Sequence, residues 1–182
     1  MIGGFSAGGN IALGVSTFLG EEAIRGGKPH PIQAVIAFYP PVNLVARHME
    51  PDVVPPPHPI PGIIISKRMS DLFNACYFCY SPDPDGDKRN PYASPIFADA
   101  GTFPSKVLLF TCEYDTLRTS SEEFRAKLKT EGDGKRDVRG RLVEGVGHGW
   151  DGMIAKEGVP GWKERVETYD EVAKLVHDVA TN

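Results

Sequence analysis

Gly4-Phe5-Ser6-Ala7-Gly8-Gly9 (residues 4–9) carries the reading of the fold. A serine with glycine two positions before and two after it is the pattern of a sharp strand-to-helix turn that lifts the serine hydroxyl above a sheet. The glycines let strand and helix pass closely, because neither brings a Cβ to the crossing. So short a pattern also arises by chance, and a glycine-rich helix start that cradles an anion looks alike. No Walker lysine follows and Gly-x-Gly-x-x-Gly is not matched, so the surroundings must decide.

Downstream, Ile11, Val15, Phe18 or Leu19 and Ala23 keep helical spacing until Gly26-Gly27 and Pro29 stop them. Ile32 to Tyr39 is a nearly continuous apolar run closed by Pro40-Pro41, as expected of a strand buried on both faces. Val107 to Cys112 is a second such run. Thr119-x-x-Glu122 and Ser120-x-x-Glu123 then read as overlapping capping boxes opening a helix, with Phe124 and Leu128 one turn apart and a stop at Gly132-Asp133-Gly134. After a charged loop, Arg141 to Val146 reads as a shorter strand ahead of Gly147-His148-Gly149. Trp162, Val166, Tyr169, Val172 and Val176 form the apolar stripe of a last helix. Strand and helix in alternation imply an α/β fold, a mostly parallel sheet with flanking helices. Residues 42–102 break the rhythm with a proline-rich run from Pro51 to Pro61 and one predicted helix carrying Met69, Leu72, Phe73, Cys76, Tyr77 and Tyr80. A stretch of that length without a strand is too long for a connection and reads as an insertion with its own packing, of the kind that covers sites. The whole chain, 1–182, is expected to be one domain.

A serine hydroxyl needs a base to take its proton and an acid to orient that base. Asp115 follows the Val107 to Cys112 strand, and His148 sits between glycines after the last strand. Both lie where parallel sheets place their chemistry, at strand carboxyl ends. Ser6, His148 and Asp115 are therefore the expected nucleophile, base and acid. The helix opening at Ala7 points its first amides at a developing oxyanion, with the Ala7 N–H as donor. Taken alone, Asp115 reads more readily as a turn or cap acid, and its strand-end position is what points to catalysis; His148 has the alternative of an exposed loop histidine, against which its flanking glycines and the preceding strand favour the base. Asp151 and Asp99 are weaker acids, and His30, His48, His58 and His177 lack such a setting. Cys76-x-x-Cys79 has half-zinc or redox spacing but no second pair, and reads as apolar packing on one helix face, with Cys112 in the core. Phe5, Tyr39 and Trp150 are candidates to line a substrate pocket.

GFSAGGN at Gly4 to Asn10, NPYASPIF at Asn90 to Phe97, FPSKVLLFTCEYDTLR at Phe103 to Arg118 and GVGHGW at Gly145 to Trp150 together resemble the hormone-sensitive-lipase-like esterases of the α/β-hydrolase superfamily. The resemblance implies a partial α/β-hydrolase fold with residues 42–102 as a cap insertion, and Asn90 to Phe97 as the junction of cap and core. It implies a carboxylic ester hydrolase in which Ser6, Asp115 and His148 form the triad, with no metal and no organic cofactor. Uncharged esters of short or medium acyl chains are the expected substrates. Phe5 stands where the family often has Asp, and Trp150 where Phe usually follows His-Gly; neither touches the triad. Family members carry a His-Gly-Gly-type loop ahead of the elbow that supplies further oxyanion amides. Only Met1 to Gly3 precede the elbow here, so the sequence reads as N-terminally truncated. The elbow strand is expected to be nearly absent, and a bare strand edge near residues 32–39 to favour homo-oligomers. The alternative is a non-catalytic ligand-binding or interaction protein on the same scaffold, inactive for want of that loop.

Composition narrows the rest. With 41% apolar and 24% charged residues the chain is globular, and 20 basic against 24 acidic residues leave no footprint for nucleic acid or an anionic membrane. Three cysteines argue against a disulfide framework and fit a cytoplasmic setting. The apolar start lacks a basic flank and is broken by glycines, so neither a signal peptide nor a membrane span is expected.

Overall fold

Ile2–Phe5 (β1), Ala34–Phe38 (β2) and Lys106–Tyr114 (β3) lie side by side, with β1 at the edge, in a five-stranded, wholly parallel sheet completed beyond β3 by Asp137–Arg139 (β4) and Leu142–Gly147 (β5). The computed structural model describes residues 1–45, 55–56, 58–131, 135–154 and 156–181. The Gly132-Asp133-Gly134 stop and His48 lie outside them. β4 and β5 both pair with β3, β4 along its first half and β5 along its second. They act as one strand interrupted at Gly140, whose backbone has φ +94 and presses so closely on the Leu109 carbonyl that a Cβ would lie 2.0 Å from its oxygen. The charged loop read ahead of Arg141 therefore contains a short strand.

The elbow strand is present: β1 pairs with β2 from Ile2↔Val35 to Phe5↔Phe38. This corrects the expectation of a nearly absent strand. It also corrects the bare edge placed at residues 32–39, since β2 lies between β1 and β3.

Alternation along β3 explains its unbroken apolar run. Val107 and Leu109 face a core shared with Leu13, Phe124 and Leu128, while Leu108 and Phe110 face one shared with Phe38, Trp150, Leu175 and Val179. Both faces are dry, so polar alternation never develops. Helices Ala7–Arg25 (α1) and Arg118–Thr130 (α4) supply the first core. Trp150–Met153 (α5) and Trp162–Ala180 (α6) supply the second. The buried residues of α6 are Thr168, Leu175 and Val179; of the stripe read from sequence, Trp162 and Val172 pack against this core, whereas Val166, Tyr169 and Val176 stay more than a third exposed. α4 is capped by neither capping box. It starts at Arg118 after Leu117, one residue before the first box. The carboxylate of Asp115 takes the Leu117 amide, and Glu122 takes the Thr111 hydroxyl.

Between β2 and β3 the described residues contain Lys67–Tyr77 (α2), a short helix Pro84–Asp87 (α3) and two 3₁₀ turns, Pro95–Phe97 and Ala100–Thr102. The Ser66 hydroxyl accepts the Met69 amide and caps α2. α2 ends before Tyr80, and Ser70 is its one buried residue. Cys76 and Cys79 are exposed, which overturns their reading as packed apolar residues, while Cys112 is buried in the core. Among the described residues, no helix is long and apolar enough to cross a membrane.

Candidate active site

Three strand ends converge on one crevice. Ser6 follows β1, Asp115 follows β3 and His148 follows β5, all at carboxyl ends. At the elbow Ser6 has φ 51, a positive angle that a non-glycine residue adopts only under constraint. The constraint is visible in Gly4: a Cβ there would sit 2.4 Å from the Gly8 carbonyl carbon. Gly8 faces open space, so the close approach is of the Gly8 backbone onto Gly4 rather than a need for two bare side chains.

His148 bridges the other two residues. Its Nδ1 is 2.7 Å from Asp115 Oδ2 and its Nε2 is 2.8 Å from Ser6 Oγ. A carboxylate only accepts, so Nδ1 carries the proton and donates, which leaves Nε2 as the acceptor for the serine hydroxyl. Asp115 is 1% and His148 7% exposed, so water competes weakly for either. The second Asp115 oxygen accepts the Leu117 amide at 3.0 Å, which fixes the carboxylate plane. The His148 loop is pinned from the insertion, its N–H donating to the Ile63 carbonyl and its carbonyl accepting the Ile63 N–H.

Ala7 is the first residue of α1, where backbone amides have no intrahelical acceptor, and it lines a cavity of about 470 Å³ beside Ser6. The cavity walls are largely apolar: Leu44, Ile65, Leu117 and, from α2, Phe73 and Tyr77. Another cavity of about 540 Å³, lined by Asp71, Lys88 and Arg89 among others, does not include Ser6.

Phe5, Tyr39 and Trp150 do not line this cavity. Phe5 is half exposed and packs on Phe38. Trp150 is fully buried in the core beneath α6. Tyr39 is also buried, its ring centroid 4.7 Å from that of His148 and its hydroxyl donating to Asp151. Burial first, then the bond to Asp151, holds the Tyr39 phenol protonated, with its pKa well above the ordinary value. Tyr169 is raised for the same reasons, and burial raises the Cys112 thiol, assisted by the charges of Asp115 and Asp151. Sequence reasoning passed over Asn10, whose buried amide donates to the carbonyls of Pro41 and Ala93, each at 2.7 Å, and ties the start of α1 to the crevice wall. His30 spans the Ser16 and Thr102 carbonyls, away from the site. Among the described residues no group of three or more His, Cys, Asp or Glu could hold a metal ion.

Residues 1–152 match the family model described as alpha/beta hydrolase fold. An esterase of Pyrobaculum calidifontis superposes with a TM-score of 0.68 and 27% identity, over 99% of this chain and 52% of that one. A fungal esterase of Rhizomucor miehei gives a TM-score of 0.71 over 98% of this chain and 51% of that one, at 23% identity, a likeness of fold. The carboxylic ester hydrolase LipN of Mycobacterium tuberculosis is 27% identical over 131 residues, 72% of this chain and 32% of its own. The chain thus spans about half the length of these solved esterases and about a third of LipN.

Proposed function

Since this chain belongs to the family of proteins with the alpha/beta hydrolase fold, we propose that it hydrolyses carboxylic esters through an acyl-enzyme formed on Ser6. The observation that carries the proposal is the pair of contacts made by one imidazole, 2.7 Å to Asp115 and 2.8 Å to Ser6. Ser6 Oγ attacks the acyl carbon while His148 Nε2 takes its proton, and the carbonyl oxygen becomes an oxyanion facing the Ala7 amide. His148 returns the proton to the alcohol as the ester bond breaks. Water then repeats the sequence on the acyl-enzyme and frees the acid. Asp115 keeps the proton on Nδ1 and stabilises the imidazolium.

The apolar walls of the cavity support an uncharged acyl group, and its volume of about 470 Å³ suits a short or medium chain. Residues 42–102 act in this reading as the cap, since Leu44, Ile65, Phe73 and Tyr77 of that segment form much of the wall. A non-catalytic protein that has lost its base is not favoured, since His148 Nε2 lies 2.8 Å from Ser6 Oγ; a chain inactive for want of the oxyanion loop is distinguished by the test that follows.

The test is labelling with a fluorophosphonate and turnover of p-nitrophenyl esters from acetate to octanoate. Labelling and turnover that are lost in Ser6→Ala are expected. A folded chain that neither labels nor turns over, or a Ser6→Ala variant that labels like the parent, overturns the proposal.

A further inference from the structure

Asp151 is 3% exposed, carries a carboxylate, and has no part in the triad. Burying such a group is costly unless hydrogen bonds compensate it. Here Tyr39 donates to Oδ1 and Tyr169 to Oδ2, the latter at 2.7 Å. The arrangement draws together the end of β2, α5 and α6. On the opposite side, the Tyr39 ring faces His148 at 4.7 Å between centroids with the planes inclined by 60°.

Tyr39 also has an unusual backbone. Its φ is 40, in the left-handed region that a bulky aromatic residue avoids. Such a conformation persists only where the surroundings over-determine it. The Tyr39 N–H donates to the Phe110 carbonyl at 2.7 Å and its hydroxyl is held by Asp151, so both ends of the residue are fixed. The strained backbone turns the ring away from the substrate cavity and onto the imidazole.

We propose that Tyr39 is a positioning residue for His148, its ring held against the imidazole by the Tyr39–Asp151–Tyr169 hydrogen bonds. The inference rests on the reading of His148 as the base. Asp115 fixes the imidazole at Nδ1, but the partner at Nε2 is the Ser6 hydroxyl, which gives up its proton and moves onto the acyl carbon, so in that step the ring is held by one side-chain hydrogen bond and can pivot about it. Packing on one face removes the pivot and keeps Nε2 on Ser6 Oγ. The same aromatic ring lies within the range at which an imidazolium formed during proton transfer is attracted to a π-face. A tether that only joined α5 and α6 to the sheet would not need the ring at His148.

The test compares the parent with Tyr39→Phe, Tyr39→Leu and Tyr169→Phe, by the rate of fluorophosphonate labelling and by the low-field proton resonance of the His148 Nδ1–H, assigned by its absence in His148→Gln. Displacing a reacting group by about 1 Å can cost about 100-fold, so labelling is expected to slow about tenfold in Tyr39→Phe, about 100-fold in Tyr39→Leu and severalfold in Tyr169→Phe. In Tyr39→Leu the resonance is expected to broaden or vanish while circular dichroism keeps the parent's helical signal. If Tyr39→Leu does not fold, the two phenylalanine variants decide. Folded variants that label within about twofold of the parent and retain a sharp resonance overturn the proposal. A folded parent that does not label defeats the esterase reading instead. In that case the resonance alone decides: its loss in Tyr39→Leu, or its broadening in the phenylalanine variants, supports the positioning role, and its persistence in the folded variants overturns it.

Discussion

Asp115 holds His148 through a 2.7 Å contact to Nδ1, and the same carboxylate accepts the Leu117 amide through its other oxygen. The two bonds compete for nothing, because each oxygen serves one donor. In Asp115→Asn the side-chain oxygen can still take the Leu117 amide, but the amide NH₂ then faces Nδ1. The imidazole must move its proton to Nε2, where it no longer accepts from Ser6. Ester turnover and labelling are expected to fall by about 10³- to 10⁴-fold with the fold intact by circular dichroism. A tenfold loss or less would show that Asp115 is an ordinary turn acid.

Gly4 and Gly8 look equivalent in sequence and are not equivalent in space. Gly4→Ala drives a Cβ to 2.4 Å from the Gly8 carbonyl carbon, a backbone atom that cannot swing aside. The variant is expected to lose at least about 1–3 kcal/mol of stability in urea unfolding, since overpacked sites cost that much even when side chains yield. Gly8→Ala meets open space within a helix, where alanine is favoured over glycine, and is expected to match or exceed the parent in stability. Equal destabilisation by the two would contradict the elbow geometry.

Gly4 and Gly8 mark the limit of what local sequence carries. The elbow, the helix after it, both apolar strands and the three residues at strand ends all leave local signals: glycine spacing, nearly continuous apolar runs, and polar residues immediately beyond them. Tyr39 leaves none. It follows a strand and precedes a proline, as a pocket aromatic would, and only its φ of 40 sends the ring to His148. The face of α6 is legible in part: Trp162 and Val172 of its apolar stripe pack on the core, but an apolar count leaves out Thr168, which is fully buried, and takes in Val166, which is not. Cys76 and Cys79 lie near the end of an amphipathic helix that buries one residue, Ser70, and periodicity cannot tell a helix that packs on a core from one that overhangs a cavity.

Phe73 projects from α2 into the wall of the cavity beside Ser6 and is half exposed, so trimming it alters the cavity more than the fold. Phe73→Ala is expected to move the preferred p-nitrophenyl ester toward longer acyl chains. Each additional buried methylene contributes about 0.8 kcal/mol, or about fourfold in kcat/KM, until the added space is filled. An unchanged profile from acetate to octanoate would place the acyl chain elsewhere.

Tyr39 and Tyr169 should make the fold sensitive to alkali. Both phenols have folded-state pKa values above the ordinary 10.0, through burial and then the hydrogen bond to Asp151. Their contribution is therefore complete below about pH 10 and is lost above it, because the unfolded chain releases protons that the folded chain retains. Unfolding in urea between pH 8 and 11.5 is expected to show stability declining above about pH 10, with a shallower decline in Tyr39→Phe than in the parent. Identical slopes would mean that Tyr39 ionises as readily folded as unfolded.

Asn10 supplies the last test, one of architecture rather than chemistry. Its side-chain Nδ2 donates to two carbonyls, Pro41 three residues after β2 and Ala93 in the segment before β3. Replacing it with alanine or leucine leaves the buried Ala93 carbonyl and the partly buried Pro41 carbonyl without this donor, and a buried orphaned group costs about 1–3 kcal/mol. Asn10→Asp is harsher, since it sets a carboxylate against two carbonyl oxygens where donors stood. The expected order of urea midpoints is parent, then Asn10→Ala, then Asn10→Asp at pH 8. Lowering the pH toward 4 should narrow the gap between the two variants, because the introduced carboxyl, once protonated, regains one donor for the same pair of carbonyls. An Asn10→Ala midpoint equal to the parent's would mean that water satisfies both carbonyls as well as the amide does, and that the crevice wall does not depend on this residue.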